Sequence, residues 1–566
     1  MEKFLSEIAG LIEKHAGIPA ADAAKLLASP PNPAMGDIGF PCFTLAKTKR
    51  TAPNKIAQEL AAVIKPTEKI IRVSAEGPYL NFTFNRGAFA AEVIREINAA
   101  GEKYGASDEG RGRTILLDFS SPNIAKPFGV GHLRSTLIGA ALYRIYENLG
   151  YKAVGINHIG DWGTQFGKMI SAWKRWGGED TFGEHSVGKM YDLYVRFHKE
   201  AEQNPSLEDE ARVYFGKLES GDAEMLALWK RFVDASYVEF ERIYKMLGVR
   251  FDEVKGESFY NDKMEAALER VRASGMLAQS EGASGVDLAG EKLGFGMLMK
   301  SDGATVYLLR DLAAAYYRRE TYKPEKILYV VGAPQQLHFK QLRAILSLMK
   351  ETWADKIVHV AFGHILGMST RKGTLVFADD FIEEAKRRAL DIIMEKNPEM
   401  ENREEVANAV AIGAIVFNDL SQRRIKDIQF DWDRMLALDG DTGPYLQYLR
   451  VRIAGILRKS AEKPADAANA GKTNYAFIAS DEEFALVKEL AKFPGAVKQA
   501  AEEYEPSILA GALIELAHAF HAFYQKHQVL VDDADLRNAR LELVKAVKIV
   551  ISNGLGLLGI KPIERM

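Results

Sequence analysis

The chain has 566 residues, 47% hydrophobic and 27% charged. That is too long for one core and suits roughly three or four globular domains, and it excludes a disordered or fibrous protein. The formal net charge of -3 balances 74 basic against 77 acidic residues, so any nucleic-acid contact must come from local basic patches rather than bulk charge. Cys42 is the single cysteine, which excludes a disulfide framework or a Cys-ligated zinc site within one chain and fits a reducing compartment.

The N-terminus alternates charged with apolar residues and lacks the apolar core of a signal peptide. No later run reads as membrane-spanning, so the expectation is a cytoplasmic protein without membrane contact. Residues 1–108 read as a small α+β module, with helices over 2–15 and 55–65 and a strand over 79–84. The polar, glycine-rich stretch 101–112 reads as a linker.

An apolar strand over 114–119 then meets a polar segment, 120–136, that runs into a helix over 133–149. Such a junction attracts anions, because a helix N-terminus presents free N–H groups and the positive end of its dipole. Gly129 and Gly131 let backbone approach a flat base or a phosphate, and Lys126 and His132 add donors. A plain glycine turn is the alternative, but Asn123, Lys126, His132 and Arg134 crowd beside a buried strand, where unpaired polar groups would be costly. A strand over 152–157 and a helix from about Trp162 follow, giving a parallel pair with a right-handed crossover, half of a doubly wound sheet. Strands over 326–331 and 357–362 supply the other half, and about 175–295 is an insertion with its own helices, including 223–247. From about 400 onward the pattern is helical, over 403–418, 444–458, 482–503, 507–530 and 536–557, with an Ala-rich loop at 460–471 read as mobile. The fold expected is therefore a Rossmann-like α/β catalytic domain with an insertion (109–400), a small α+β N-terminal domain (1–108) and an all-α C-terminal bundle (401–566).

Three further polar clusters fall near strand ends. In an open parallel sheet, ligands bind outside the carboxyl ends of the strands, so segments 120–136 and 157–167 would line one crevice; Asp161 alternatively caps the helix beginning at Trp162. Tyr307, Asp311, Gln335 and His338 suit a cationic substrate, since a guanidinium offers five donors to carboxylate, amide and phenol acceptors. Asp118 is the natural second carboxylate. The structural alternatives are a helix N-cap for Asp311 and a pair with a neighbouring base for Asp118. Finally, Met368, Ser369, Arg371 and Lys372 lie in a Gly-bounded basic loop, 367–373, able to stabilise charge on a leaving pyrophosphate, or else a solvated turn.

With these residues in view, the chain resembles the class I arginyl-tRNA synthetases over nearly its whole length. Segment 120–136 resembles the family's extended HIGH region, 157–167 its Asn-His-x-Gly-Asp-Trp-Gly-Thr-Gln-Phe signature, 368–373 its KMSKS-type loop, and 440–448 with 562–566 its C-terminal domain. The resemblance implies that Asp118 and Asn123 hold the α-amino end of L-arginine, while Tyr307, Asp311 and Gln335 read its side chain. It further implies that Gly129, Gly131, His132, His338, Met368 and Ser369 take ATP, which travels with Mg2+ and needs no dedicated metal cage, and that Lys126, His132, Arg371 and Lys372 serve catalysis. The sequence departs from the pattern where Gly129 replaces the first histidine of HIGH and where Gly367 and Thr370 replace the KMSKS lysines; Lys126 is then expected to reach the phosphates from the opposite side. The implied activity is attachment of arginine to tRNA(Arg) through an arginyl-adenylate, by a monomer whose activation step depends on tRNA. A catalytically weak paralogue, prompted by those departures, and a nucleotidyltransferase without RNA are the competing readings. Arg423, Arg424, Lys426, Arg450 and Arg452, with Tyr445 and Tyr448, are the expected tRNA contacts; a core role for the tyrosines and a solvated helix face for the charges stand beside that.

Overall fold

The computed structural model describes residues 1–366, 377–461 and 473–566. The basic loop expected at 367–373, and with it Met368, Ser369, Arg371 and Lys372, lies outside the described residues, as does 460–471 beyond its first two positions.

The chain divides into two compact units, of which one comprises Met1–Gly105, Leu449–Ala496 and Ala512–Asn553. Its sheet is antiparallel, with strands β1 (Ile38–Pro41), β2 (Ile70–Glu76) and β3 (Tyr79–Phe84), β3 in the centre. Leu80, Phe82 and Phe84 alternate along β3 and are buried, the period-2 face of a half-covered sheet. Phe4, from the Glu2–Ala16 helix, meets Phe84 and Phe89 at ring distances of 4.9 and 5.0 Å.

The other unit comprises Ala106–Tyr448, Val497–Gly511 and Gly554–Met566. Five parallel strands form its sheet: β4 (Thr114–Asp118), β5 (Lys152–Asn157), β6 (Glu253–Val254), β10 (Lys326–Tyr329) and β11 (Ile357–His359), in the order β11-β10-β4-β5-β6. Between β6 and β10 the chain makes a separate antiparallel sheet, β7 (Leu277–Ser280), β8 (Ala283–Asp287) and β9 (Phe295–Met299), which the periodicity did not disclose. β6 comes from the stretch read as an insertion, yet it forms the edge of the parallel sheet against β5. Leu116, Ile156, Ile327 and Ile357 from this sheet join Leu308, Leu309 and Leu312 of the Tyr307–Tyr322 helix in one core. Each such side chain contributes about 1.5–3 kcal/mol by leaving water. The Val130–Asn148 helix lies close to the sheet because Gly139 has no Cβ, which would stand 2.2 Å from the Phe119 ring.

The sheet reverses its strand order between β4 and β10, which places a ligand crevice at their carboxyl ends. The helices expected after 400 are present as Arg403–Leu420, Gly443–Ala461, Asp481–Glu502, Pro506–Lys526 and Ala534–Leu558. Contrary to expectation, Pro506–Lys526 is long and apolar enough, by length and composition, to cross a membrane. Its Leu509, Leu513, Leu516, Phe520 and Phe523 are instead buried within the protein, as on a core helix.

Candidate active site

The segment after β4 is held in a conformation that its residues would not choose alone. Ser120, Ser121 and Ala125 have φ of 74°, 49° and 58°, a left-handed backbone costing non-glycine residues about 1–3 kcal/mol each. Side chains from elsewhere offset that cost. The Ser120 N–H donates to Ser135 Oγ (3.0 Å), the Ser135 hydroxyl to the Val330 carbonyl (2.6 Å), the Ser121 N–H to Asn157 Oδ1 (3.2 Å), and the Ala125 N–H to Ser236 Oγ (3.0 Å). Asn157, fully buried, also donates to the Tyr244 hydroxyl at 3.0 Å, so it is a clamp of this turn and not a ligand.

The second loop runs alongside. Asn123 and Gly160 form a parallel bridge, with the Gly160 N–H donating to the Pro122 carbonyl (2.9 Å) and the Ile124 N–H to the Gly160 carbonyl (3.1 Å). A Cβ on Gly160 would stand 2.3 Å from Asn123 Oδ1, so only glycine permits this approach. The helix expected from Trp162 begins at Gln165, and Asp161 does not cap it. Its carboxylate accepts the Ser258 N–H (2.8 Å) and hydroxyl (2.6 Å) instead, and burial raises it above the usual carboxylate range despite those bonds.

Both loops open on one cavity of about 680 Å³, lined by Asp118, Asn123, Gly131, His132, His158, Gly160, Tyr307, Asp311, Gln335 and His338 among others. The structure thus brings together most of the residues singled out for arginine and ATP. Gly129 sits at the N-cap of the Val130–Asn148 helix, and its N–H donates to His132 Nδ1 at 3.3 Å. His132 therefore carries its proton on Nε2, and burial, then the neighbouring Lys126 charge, pushes it down to about 4, keeping it neutral. His158 has the opposite tautomer: its Nδ1 lies 3.0 Å from the Lys255 carbonyl, which can only accept, so Nε2 is left as an acceptor. Lys126 does not line the cavity; its ammonium lies 5.4 Å above the Tyr194 ring.

Three carboxylates face this space, each beside a base. Asp118 Oδ2 is 2.7 Å from Arg318 Nη1, both buried, with Tyr260 and Tyr329 at 5.8 and 5.2 Å from the guanidinium. That neutralises the residue expected to be the second free carboxylate, and the alternative of a basic partner is the one observed. Asp311 lies inside the Tyr307–Tyr322 helix rather than at its N-cap, and His338 Nε2 donates to it at 2.6 Å. Burial alone would raise Asp311, but the His338 hydrogen bond holds it below its ordinary value. The third is Glu257, which the sequence reading missed. It lies 3.6 Å from Arg310 Nη1, and burial pushes it up to about 7 although Arg310 pulls the other way. The backbone delivers it, because the Lys255 N–H donates to Asn157 and the Glu257 N–H to Ile159, extending β6 along the second loop.

Of the residues expected to meet tRNA, Arg423 and Lys426 are exposed. Arg424 is turned inward, donating to the carbonyls of Ala361 (2.6 Å) and Tyr504 (2.9 Å). Arg450 is likewise only 7% exposed and donates to Ser552 at 2.7 Å, so it is a buried brace rather than a surface donor. Arg452 lies 5.8 Å over the Tyr524 ring, Tyr448 borders a separate cleft with Trp432 and Arg388, and Tyr445 is half-buried.

The doubly wound parallel sheet with this paired-loop cavity at its switch point is a class I aminoacyl-tRNA synthetase catalytic domain, because residues 93–432 match the family described as tRNA synthetases class I (R), catalytic domain. Residues 2–84 match the arginyl tRNA synthetase N-terminal domain and 446–566 the DALR anticodon binding domain. The chain is 47% identical over 568 residues to an arginine–tRNA ligase of Clostridium beijerinckii, covering 100% of both, and 48% identical over 564 residues to that of Clostridium perfringens, covering 99% of both. Its fold is similar to a solved arginyl-tRNA synthetase of Thermus thermophilus, with TM-score 0.82 and 29% identity over 99% of each chain, and to one of Plasmodium falciparum, with TM-score 0.80 and 25% identity over 99% of this chain and 98% of that one. The chain belongs to the arginyl-tRNA synthetase family.

Proposed function

We propose that this protein attaches L-arginine to tRNA(Arg) at the expense of ATP. The arginine carboxylate attacks the α-phosphorus of ATP and pyrophosphate leaves; a ribose hydroxyl at the tRNA end then attacks the arginyl carbonyl of the adenylate, and AMP leaves. The observation that carries the reading is the single cavity in which Glu257, Tyr307 and Asp311 converge beside the strand-to-helix segment. Glu257 and Asp311 take the guanidinium with the Tyr307 hydroxyl. Gln335 joins them at the side chain, Asn123 and the Arg318-neutralised Asp118 orient the α-amino end, and Gly129, Gly131, His132 and His338 receive the nucleotide. Positioning and charge stabilisation supply the rate, with no covalent nucleophile. ATP enters as its Mg2+ complex. Lys126, which lies outside the cavity in this structure, and Met368, Ser369, Arg371 and Lys372 are assigned to the phosphates of ATP because the family resemblance implies that role. Residues 1–108 and 401–566, with Tyr445, Tyr448 and Arg452, meet the tRNA, and the protein works as a cytoplasmic monomer. No observation favours the weak-paralogue reading.

Pyrophosphate exchange and tRNA charging with arginine, each with and without tRNA, test this. Exchange that requires tRNA, together with charging, is the expected result. Absence of charging under every condition would refute the reading, and tRNA-independent exchange with another acid would replace it with a nucleotidyltransferase.

A further inference from the structure

Arg310 has an unusual position for a buried guanidinium. It is 9% exposed, it lines the arginine cavity, and its Nε has no hydrogen-bond partner. Its nearest carboxylate oxygen, Glu257 Oε2, is 3.6 Å away, longer than a hydrogen bond. A buried ion pair stabilises a fold only when its geometry is good and its remaining donors are satisfied. This pair meets neither condition, so stability gives no reason for Arg310 to be there.

The groups around Glu257 give one. Asp161 and Asp311 both disfavour its charge, as does burial, while Arg310 and the Trp162 backbone N–H favour it. Arg310 in turn faces the Tyr307 ring at 6.0 Å and offsets the burial of Glu219. Among the described side chains facing Glu257, Arg310 is the cation. At 3.6 Å it lends its charge while leaving the carboxylate lone pairs open to another donor. We infer that Arg310 is a positioning residue for arginine activation: it favours the ionised form of Glu257 while leaving the carboxylate open, so that a substrate guanidinium has less often to displace a proton from it. The inference rests on the cavity being the arginine site.

Glu257 already stands at about 7 with Arg310 beside it, so removing that charge drives it higher. Each unit by which it exceeds the working pH weakens guanidinium binding about tenfold. Arginine-dependent pyrophosphate exchange, with tRNA present, would be measured for the wild type, Arg310→Met and Arg310→Lys at pH 6.5, 7.5 and 8.5. Arg310→Met is expected to raise KM for arginine about tenfold or more over the wild type at pH 6.5 and 7.5, with the ratio narrowing at pH 8.5. The effect falls on KM far more than on kcat, and Arg310→Lys, which keeps the charge, restores most of the wild-type profile. In a Glu257→Gln background Arg310→Met adds no pH-dependent change. A KM ratio that does not vary with pH, or an Arg310→Lys protein as impaired as Arg310→Met, would overturn the inference. A wild-type protein that does not activate arginine would instead overturn the reading of the site.

Discussion

Replacing Arg134 by methionine tests how the Val130–Asn148 helix is tied to the segments around Gly363 and Arg424. Arg134 is fully buried on the Val130–Asn148 helix and donates to the carbonyls of Gly363 (2.6 Å), His364 (3.2 Å) and Arg424 (3.0 Å), while its Nε lies 3.6 Å from Asp419 Oδ1. Three charged hydrogen bonds at about 1.5–3 kcal/mol each overcount, because one group makes them all; the loss of one partner of a buried pair, about 3–5 kcal/mol, is the better scale. The cost is taken as about 4 kcal/mol. Asp419→Asn is expected to cost much less, about 1 kcal/mol, because burial has already pushed that carboxyl up to about 7 and its neutral form fits. Hydrogen exchange reads both locally: the Gly363 N–H is bonded to the Arg424 carbonyl (2.9 Å) and the Ile428 N–H to the His364 carbonyl (2.8 Å). If exchange proceeds by local opening, Arg134→Met lowers their protection roughly several-hundred-fold, since 1.4 kcal/mol is a factor of ten. The sign with pH is also fixed. Asp419 holds a proton in the fold that it would lose when unfolded, so its contribution is full only below about pH 4, falls as pH rises towards 7 and is flat above. Less than about a fivefold loss of protection for Arg134→Met, or an equal loss for Asp419→Asn, would refute this account.

Gly160→Ala should push Asn123 aside, since its Cβ would stand 2.3 Å from Asn123 Oδ1; losing one hydrogen bond to the amino acid raises KM for arginine about tenfold, and an unchanged KM would show that Asn123 makes no such bond. Lys126→Ala is expected to slow adenylate formation about a hundredfold, and a loss under about fivefold would exclude it from the phosphates. His132, neutral down to about pH 4, should appear in nitrogen-15 spectra as the Nε2–H tautomer from pH 5 to 8, and a titration midpoint near pH 6.5 would contradict its burial.

Periodicity and turn chemistry were enough to find β4, β5, the helix between them and the C-terminal helices, because each has a long local pattern. The strand-end polar clusters were legible for the same reason: a run of polar residues beside a buried strand is anomalous in one dimension. Glu257 was not. It follows a two-residue strand whose place in the sheet is set by pairing with β5, about a hundred positions earlier, and no local signal marks such an edge. Arg318 was hidden differently, on a helix face where an arginine ordinarily means solvent; only the three-dimensional path of the Tyr307–Tyr322 helix turns it under Asp118. The same loss of dimension made Arg424 and Arg450 look like surface donors, although their acceptors are carbonyls and a hydroxyl far along the chain.

Two fixed guanidinium groups, Arg310 and Arg318, stand against three carboxylates in the cavity, Asp118, Glu257 and Asp311. These five groups alone, all ionised, leave one unit of negative charge, which in the proposed reading an incoming guanidinium would cancel. The ammonium at the other end of the amino acid has no such vacancy and must bring its counter-ion with it, in the form of its own α-carboxylate. When that carboxylate is joined to AMP as a mixed anhydride, the phosphate of the adenylate supplies the same single negative charge in its place. The charge balance of the occupied cavity is thereby conserved from substrate to intermediate. A ligand that kept the two cations but lacked any anion would have to enter with an uncompensated charge in a poorly solvated space, and would be turned away for that reason alone.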